Sequence, residues 1–449
     1  MLRPTIKTVL IGLGLAAASA AAAFAQVDFS RYVAIGDSLT AGFTSGGLVE
    51  TSQANSYPAL IHRQATGGDT GFEQPLVTPP GLPAVFQLVS LSPLTIRPTP
   101  GQGQPANATL PRPYNNLGIP GATVHDILNT TSGGIYDLIL RNPAFHNTTD
   151  IQQALSLQPT FVTVWIGNND ALNAATSGIV DDQHLTPAAQ FDAEYKALLG
   201  AIAQNSSAKI AVALIPDVTT IPFVTTIPPV VVNPATNKPV IVGGNPVFLI
   251  GPKGQLGPGD HVLLTAQAEL AQGIGIPVQL GGKGTPLTDN VVLDAGETAT
   301  ITARIAAYNS TIRAAAGTVG AAVVDTNALL HQLAISGIDI GGIEFTSAFL
   351  TGGVFSYDGV HPTAFGYAYV ANAFIAAINA KFAVKIPPVS YSPYIFGLTP
   401  LPSPAIAGIA SVPAFSSAAL DSLGRLFSWP QPAAAPPPPP QKNHGRHRH

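Results

Sequence analysis

The chain has 449 residues, a formal net charge of −4 and no cysteine. That length can bury one large core or two smaller ones. The missing thiols exclude disulfide staples and thiolate metal sites, and the negative charge argues against a general nucleic-acid binder. Only 10% of residues are charged, against about 25% in ordinary domains. Thr, Ser, Asn, Gln, Gly and Pro must therefore cover much of the surface. Such a surface is compatible with an apolar substrate or with peripheral contact with lipid, and establishes neither.

Residues 1–26 read as a secretory signal peptide. Arg3 and Lys7 supply a positive start, Val9 to Ala23 an apolar or small-residue run, and Ala23-Phe24-Ala25 an A-x-A-like cleavage site. Cleavage would take the charge from −4 to −6 and place the protein outside the cytoplasm, in a periplasm or the medium. Beyond the leader no apolar stretch is long enough to span a bilayer without interruption. Pro402, Pro404 and Pro413 break the best one, Leu401 to Leu420.

Tyr32 to Ile35 is a short apolar run suited to a buried strand, stopped by Gly36. Asp37 and Ser38 follow, then helix-compatible residues from Leu39 to Phe43. A strand-to-helix turn can present a serine hydroxyl with free helix N–H groups behind it. Ser56 to Gln64 reads as a helix with Pro58 in its first turn. Thr66 to Pro113, dense in Gly and Pro, reads as an irregular insertion, and Tyr114 to Leu117 as a second strand. Asp150–Gln158 (helix), Thr160–Ile166 (strand), Pro187–Gln204 (helix) and Lys209–Ile215 (strand) continue an alternation that predicts an α/β protein with a parallel sheet. Thr219 to Asn290 breaks the rhythm. Its short apolar pieces, such as Val230–Val232 and Val247–Ile250, predict a β-rich insertion. Helix, strand and helix return at Thr298–Ala315, Ala321–Val324 and Asn327–Ile335, with a last helix at Thr363–Phe382. Residues 387–449 are expected to be a Pro-rich disordered tail, with a polyproline II run at Pro436–Pro440.

Chemistry-bearing residues stand at the ends of these elements. In Asp358-Gly359-Val360-His361-Pro362 the acid and the imidazole are three apart across a bend, close enough to pair. Such a carboxylate keeps one ring nitrogen protonated and leaves the other as a base. Gly121 follows the second strand, where a backbone N–H can approach a ligand. Asn169, in Gly167-Asn168-Asn169-Asp170, follows the third, where a side-chain amide can project. Strand carboxyl ends are where open α/β sheets bind ligands. Asp37 and Asp170 are expected to brace their loops; Asp217, after Ile215-Pro216, ends a strand and could line the cleft. His62, His125, His146, His184, His261 and His331 stand singly, without metal-ligand spacing.

Taken together, Gly36-Asp37-Ser38-Leu39, Gly121, Gly167-x-Asn169-Asp170 and Asp358-x-x-His361-Pro362 resemble the GDSL esterases and lipases, or SGNH hydrolases. The resemblance covers roughly 30–217 and 295–382, within a hydrolase domain expected at 27–386; the insertions at 66–113 and 219–294 lie outside it. It implies a flavodoxin-like three-layer α/β/α fold with a central parallel sheet. It implies Ser38 as nucleophile, His361 as general base and then acid, and Asp358 as its orienter. The Ser38 and Gly121 N–H groups and the Asn169 amide would form the oxyanion hole. No metal or organic cofactor is implied. The expected function is a secreted serine hydrolase cleaving lipid or other short- to medium-chain acyl esters. The alternatives are a carbohydrate O-acetyl esterase and, in another class, a non-catalytic envelope or binding protein on the same scaffold. The apolar insertion 219–294 is expected to cover the site.

Overall fold

The structure is a computed structural model that describes residues 27–91, 94–395 and 414–427. The expected leader and the expected polyproline run lie outside the described residues. The elements that position the site are β1 (Tyr32–Gly36), α1 (Ser38–Ala41), α2 (Tyr57–Thr66), β2 (Asn116–Gly118), α3 (Val124–Asn129), β3 (Phe161–Trp165), α4 (Asn169–Ser177), α5 (Ala188–Asn205), β4 (Lys209–Ala213), α6 (Ala295–Val319), β5 (Ala322–Val324), α7 (Thr326–Ile335) and α8 (Ala364–Phe382).

The five strands form one parallel sheet in the order β2-β1-β3-β4-β5. Register is set by pairs such as Ile35 with Leu117 and with Val164. The strands read as continuous apolar runs because both faces are covered. Tyr32, Ala34, Phe161 and Trp165 face α2 and α8, where Tyr57 stacks on Phe374 at 4.6 Å. Val33, Ile35, Val162 and Val164 face the other way, toward a core shared with Phe191 and Tyr195 of α5 and Ile305 and Ile312 of α6. Alternate residues thus build two separate cores from one strand sequence. Each large side chain buried there stabilises the fold by about 1.5–3 kcal/mol. The result is the three-layer α/β/α arrangement expected from the sequence. The strand order reverses between β1 and β3, and the loops at their carboxyl ends meet at that switch point.

Two regions depart from expectation, while the 219–294 insertion is β-rich as expected. Within 66–113, Phe86–Leu91 and Leu94–Pro98 form an antiparallel pair with a register shift between Leu88 and Ser90. Its alternation is masked in the sequence by neighbouring prolines. Residues 387–395 and 414–427, expected within a disordered tail, are structured. Asn372 and Asn379 of α8 each clamp an extended residue, Val389 and Ile386, through both amide atoms. Ala414–Phe415 adds a parallel strand beside Leu94–Pro98, and the helix Ser417–Phe427 buries Ala419 and Leu423. Proline content around this helix hid a four-residue apolar spacing long enough to dock. The 219–294 insertion consists of two-residue ladders and single helical turns. Val230–Val232 and Val247–Ile250 lie against each other there, with Val231 N–H donating to Val247 O.

Candidate active site

β1 ends at Gly36 because no side chain fits there. A Cβ would stand 2.1 Å from Thr40 Oγ1 and 2.4 Å from Trp165 O. This close approach lets α1 begin at once, with Asp37 as N-cap accepting from Leu39 N–H at 3.0 Å. The helix is a single turn, closed by Gly42 in the left-handed region. What lies behind Ser38 is thus a single helical turn, with a few backbone N–H groups and little macrodipole.

Ser38 Oγ lies 2.9 Å from His361 Nε2, and His361 Nδ1 lies 2.9 Å from Asp358 Oδ2. The three side chains are buried, Asp358 completely. The bend that brings them into line closes through Ser356 N–H to His361 O at 2.8 Å, and Gly359 N–H to Ser356 O at 3.0 Å. The Phe43 ring packs on the imidazole, 4.6 Å between centroids.

Asp358 accepts from Ser356 Oγ, Val360 N–H and His361 N–H at Oδ1, and from Gly46 N–H and the His361 ring at Oδ2. Burial pushes its carboxyl up, but the His361 charge and these donors outweigh burial and hold it below the ordinary carboxylate value. A carboxylate so held stays ionised and favours a proton on Nδ1, which leaves Nε2 to accept from the Ser38 hydroxyl.

Gly121 follows β2 at φ +85°, with open space where a side chain would be. Its loop is tied to β1 by Ile119 N–H to Gly36 O at 2.9 Å. Asn169 opens α4 and donates one amide N–H to Ala122 O at 2.9 Å. The loops carrying Gly121 and Asn169 are therefore fastened to each other. Asp170 fastens them again, accepting Val124 N–H at 3.1 Å. Asp37 Oδ2 accepts from Asn168 Nδ2 at 2.7 Å, joining the serine loop to the third. Burial raises the carboxyls of both braces, Asp37 to about 6 and Asp170 to about 7.

Beside the Ser38–His361 pair opens a narrow pocket with a cavity volume of about 90 Å³. Its walls are Leu329, Leu330 and Leu333 of α7, Tyr369 and Val370 of α8, Val354, Phe355 and Val360 of the histidine loop, and Pro216, Val218 and Ile221 beyond β4. Asp217, which could have lined the cleft, is absent from it. Asp217 caps Thr219 and faces a separate polar depression with Arg313 and Asp325. Past Ile221 the insertion does not line the pocket either. It buttresses the histidine loop from outside, with Phe223 N–H donating to Gly359 O at 2.9 Å. Of the single histidines, His125 pairs with Glu194 and His184 with Asp181.

Sequence reasoning missed Asn168, the Ser45–Gly46 turn and every pocket residue on α7 and α8. Asn168 alone carried a signal, as the polar residue between Gly167 and Asn169.

A family model described as GDSL-like lipase/acylhydrolase matches residues 32–374. The chain belongs to that family. It is thus an ester-hydrolysing enzyme, and its substrates are small-molecule esters. No curated protein matches it. Among solved structures it is similar to LAE5, an alpha/beta hydrolase enzyme from the metagenome of Lake Arreo, Spain. Identity is 15% and the TM-score 0.35, over 78% of this chain and 95% of that one. It is similar also to Axe2, an acetylxylan esterase from Geobacillus stearothermophilus, at 14% identity and a TM-score of 0.35, over 79% and 94% of the two chains.

Proposed function

We propose that this family member is a secreted serine esterase for esters of apolar acyl chains, working through an acyl-enzyme. The observation that carries the reading is the pocket, walled by leucine, valine, isoleucine, phenylalanine and proline side chains and opening onto the serine–histidine pair. An apolar lining of this kind takes apolar ligand parts and fixes them with few polar groups.

In this reading Ser38 Oγ attacks the ester carbonyl while its proton passes to His361 Nε2. Asp358 stabilises the imidazolium through Nδ1–H. The backbone N–H groups of Ser38 and Gly121, and the second amide N–H of Asn169, stabilise the oxyanion. The alkoxide leaves with the proton from His361. Water, deprotonated by the same nitrogen, then attacks the acyl carbon, releases the acid and restores Ser38. Secretion rests on the leader-like composition of residues 1–26.

A panel of p-nitrophenyl esters from acetate to palmitate, beside acetylated xylo-oligosaccharides, tests the proposal. The expected result is a kcat/KM maximum at four to eight acyl carbons, lost in Ser38→Ala. Activity confined to acetylated sugars would replace it with the carbohydrate reading. No turnover, together with no labelling by a fluorophosphonate, would leave a binding protein.

A further inference from the structure

Asp358 takes one of its bonds from a turn more than three hundred residues earlier. Thr44 and Gly47 exchange backbone hydrogen bonds at 3.0 Å, and the residues between them, Ser45 and Gly46, both have positive φ, 47° and 81°. This is the pattern of a type I′ turn, which points successive N–H groups one way. Gly46 N–H donates to Asp358 Oδ2 at 2.8 Å, and Ser45 N–H to Ser356 Oγ at 2.8 Å. Ser45 is not a residue that takes positive φ cheaply, so something outside the turn must hold it there.

Tyr357 N–H holds it from the histidine loop, donating to Ser45 Oγ at 3.3 Å, and Phe86 holds it from the other side. Its N–H donates to Ser45 O at 2.6 Å, and its ring lies over Gly46 so closely that a Cβ there would stand 2.9 Å from it. Behind Phe86 stands Phe415, edge-on at 6.4 Å between centroids. Phe415 is itself fixed from three sides. Its N–H donates to Gln267 Oε1 at 3.0 Å, Phe349 stacks on it at 6.2 Å, and Ser416 N–H donates to Ile96 O at 2.9 Å. The helix that follows, Ser417–Phe427, lies against α4, which carries Asn169.

We propose that Phe415 is a positioning residue for the reaction: through Phe86 and the Ser45–Gly46 turn, the C-terminal strand and helix set the orientation of the Asp358 carboxylate against His361. The inference rests on the roles given above to Ser38, His361 and Asp358. It assigns catalytic purpose to a segment that lies beyond residue 374, where the family match ends. A packing role would cost stability when lost. A positioning role costs turnover as well, because a carboxylate misplaced by a fraction of an ångström no longer orients the imidazole.

The test uses the full chain with Phe415→Ala, assayed well below its melting temperature. The expected result is a roughly 10–100-fold fall in kcat with KM changed less than about twofold. The downfield proton resonance of the His361 Nδ1–H should broaden or shift upfield. If Phe415→Ala does not fold, Phe415→Leu is read the same way: it keeps an apolar filler and loses the edge-on ring. Its expected fall is about threefold, with the same change in the resonance. A folded variant with wild-type kcat and an unmoved resonance overturns the proposal. Failure of the hydrolase reading is distinguishable: wild-type protein would then neither turn over esters nor label at Ser38, while the resonance still reports on the His361–Asp358 bond.

Discussion

Asp358→Asn separates the electronic role of the acid from its packing, because the two side chains have nearly the same shape. The amide NH₂ must replace one carboxylate oxygen. At Oδ1 it would face the fixed N–H groups of Val360 and His361, at 2.9 and 2.8 Å. At Oδ2 it would face only one fixed donor, Gly46 N–H at 2.8 Å, and the His361 ring. The second placement is the cheaper one. It leaves Gly46 N–H without its acceptor, a loss of about 1–3 kcal/mol in stability. It also obliges His361 Nδ1 to accept, so the ring proton moves to Nε2 and faces Ser38. The hydroxyl then has no base. The expected fall in kcat is about 10⁴-fold, as when the acid of a serine triad is amidated, with KM little changed. Initial rates on p-nitrophenyl butyrate across pH 6–9, with urea melts on the same samples, measure both quantities. A folded variant within tenfold of wild-type kcat would refute the tautomer argument.

Asn169→Ala removes an amide that also fastens the Gly121 loop through Ala122 O, so kcat should fall roughly 10²–10³-fold. Under tenfold would show that oxyanion stabilisation comes from elsewhere. Leu330→Trp fills the pocket wall on α7. It should cut kcat/KM for octanoate at least tenfold and spare acetate, and equal loss on both would place the acyl chain outside this pocket. Asp170, raised to about 7 by burial, and Asp37, raised to about 6, both favour the protonated form in the fold. Their contribution is present below pH 4 and lost as pH rises through 6 to 7. Asp170 Oδ1 has no hydrogen-bond partner among the described residues, so Asp170→Asn removes an ionisation that the fold resists. The variant should gain on wild type by a few kcal/mol between pH 4.5 and pH 8 in urea unfolding, and a pH-independent difference would contradict the assignment.

Much of the sheet was legible because its signals are local. Thr160–Ile166 and Lys209–Ile215 could only be buried strands, and the helix after Ser56 starts where its cap and Pro58 put it. The GDSL and Asp-x-x-His blocks were legible for a related reason, since the covalent chain itself holds each of them within one turn. The docked segment 414–427 was not. The burial of its apolar residues depends on the groove left by Phe86, Phe349 and Gln267, which come from three distant parts of the chain.

The amino-acid order by itself determined the α/β alternation, the serine at the first strand's end and the acid and imidazole three residues apart. Those follow from side-chain periodicity and short-range bends, which need no partner. Only the tertiary structure decided that Ser38 and His361, 323 positions apart, stand at hydrogen-bond distance. It alone decided that the pocket wall is drawn largely from α7, α8 and the histidine loop, with only Ile221 coming from the large insertion. The reason is physical. A wall or a hydrogen bond between distant segments depends on how helices seat against a sheet, and that seating is the sum of many weak contacts that no single stretch of chain encodes.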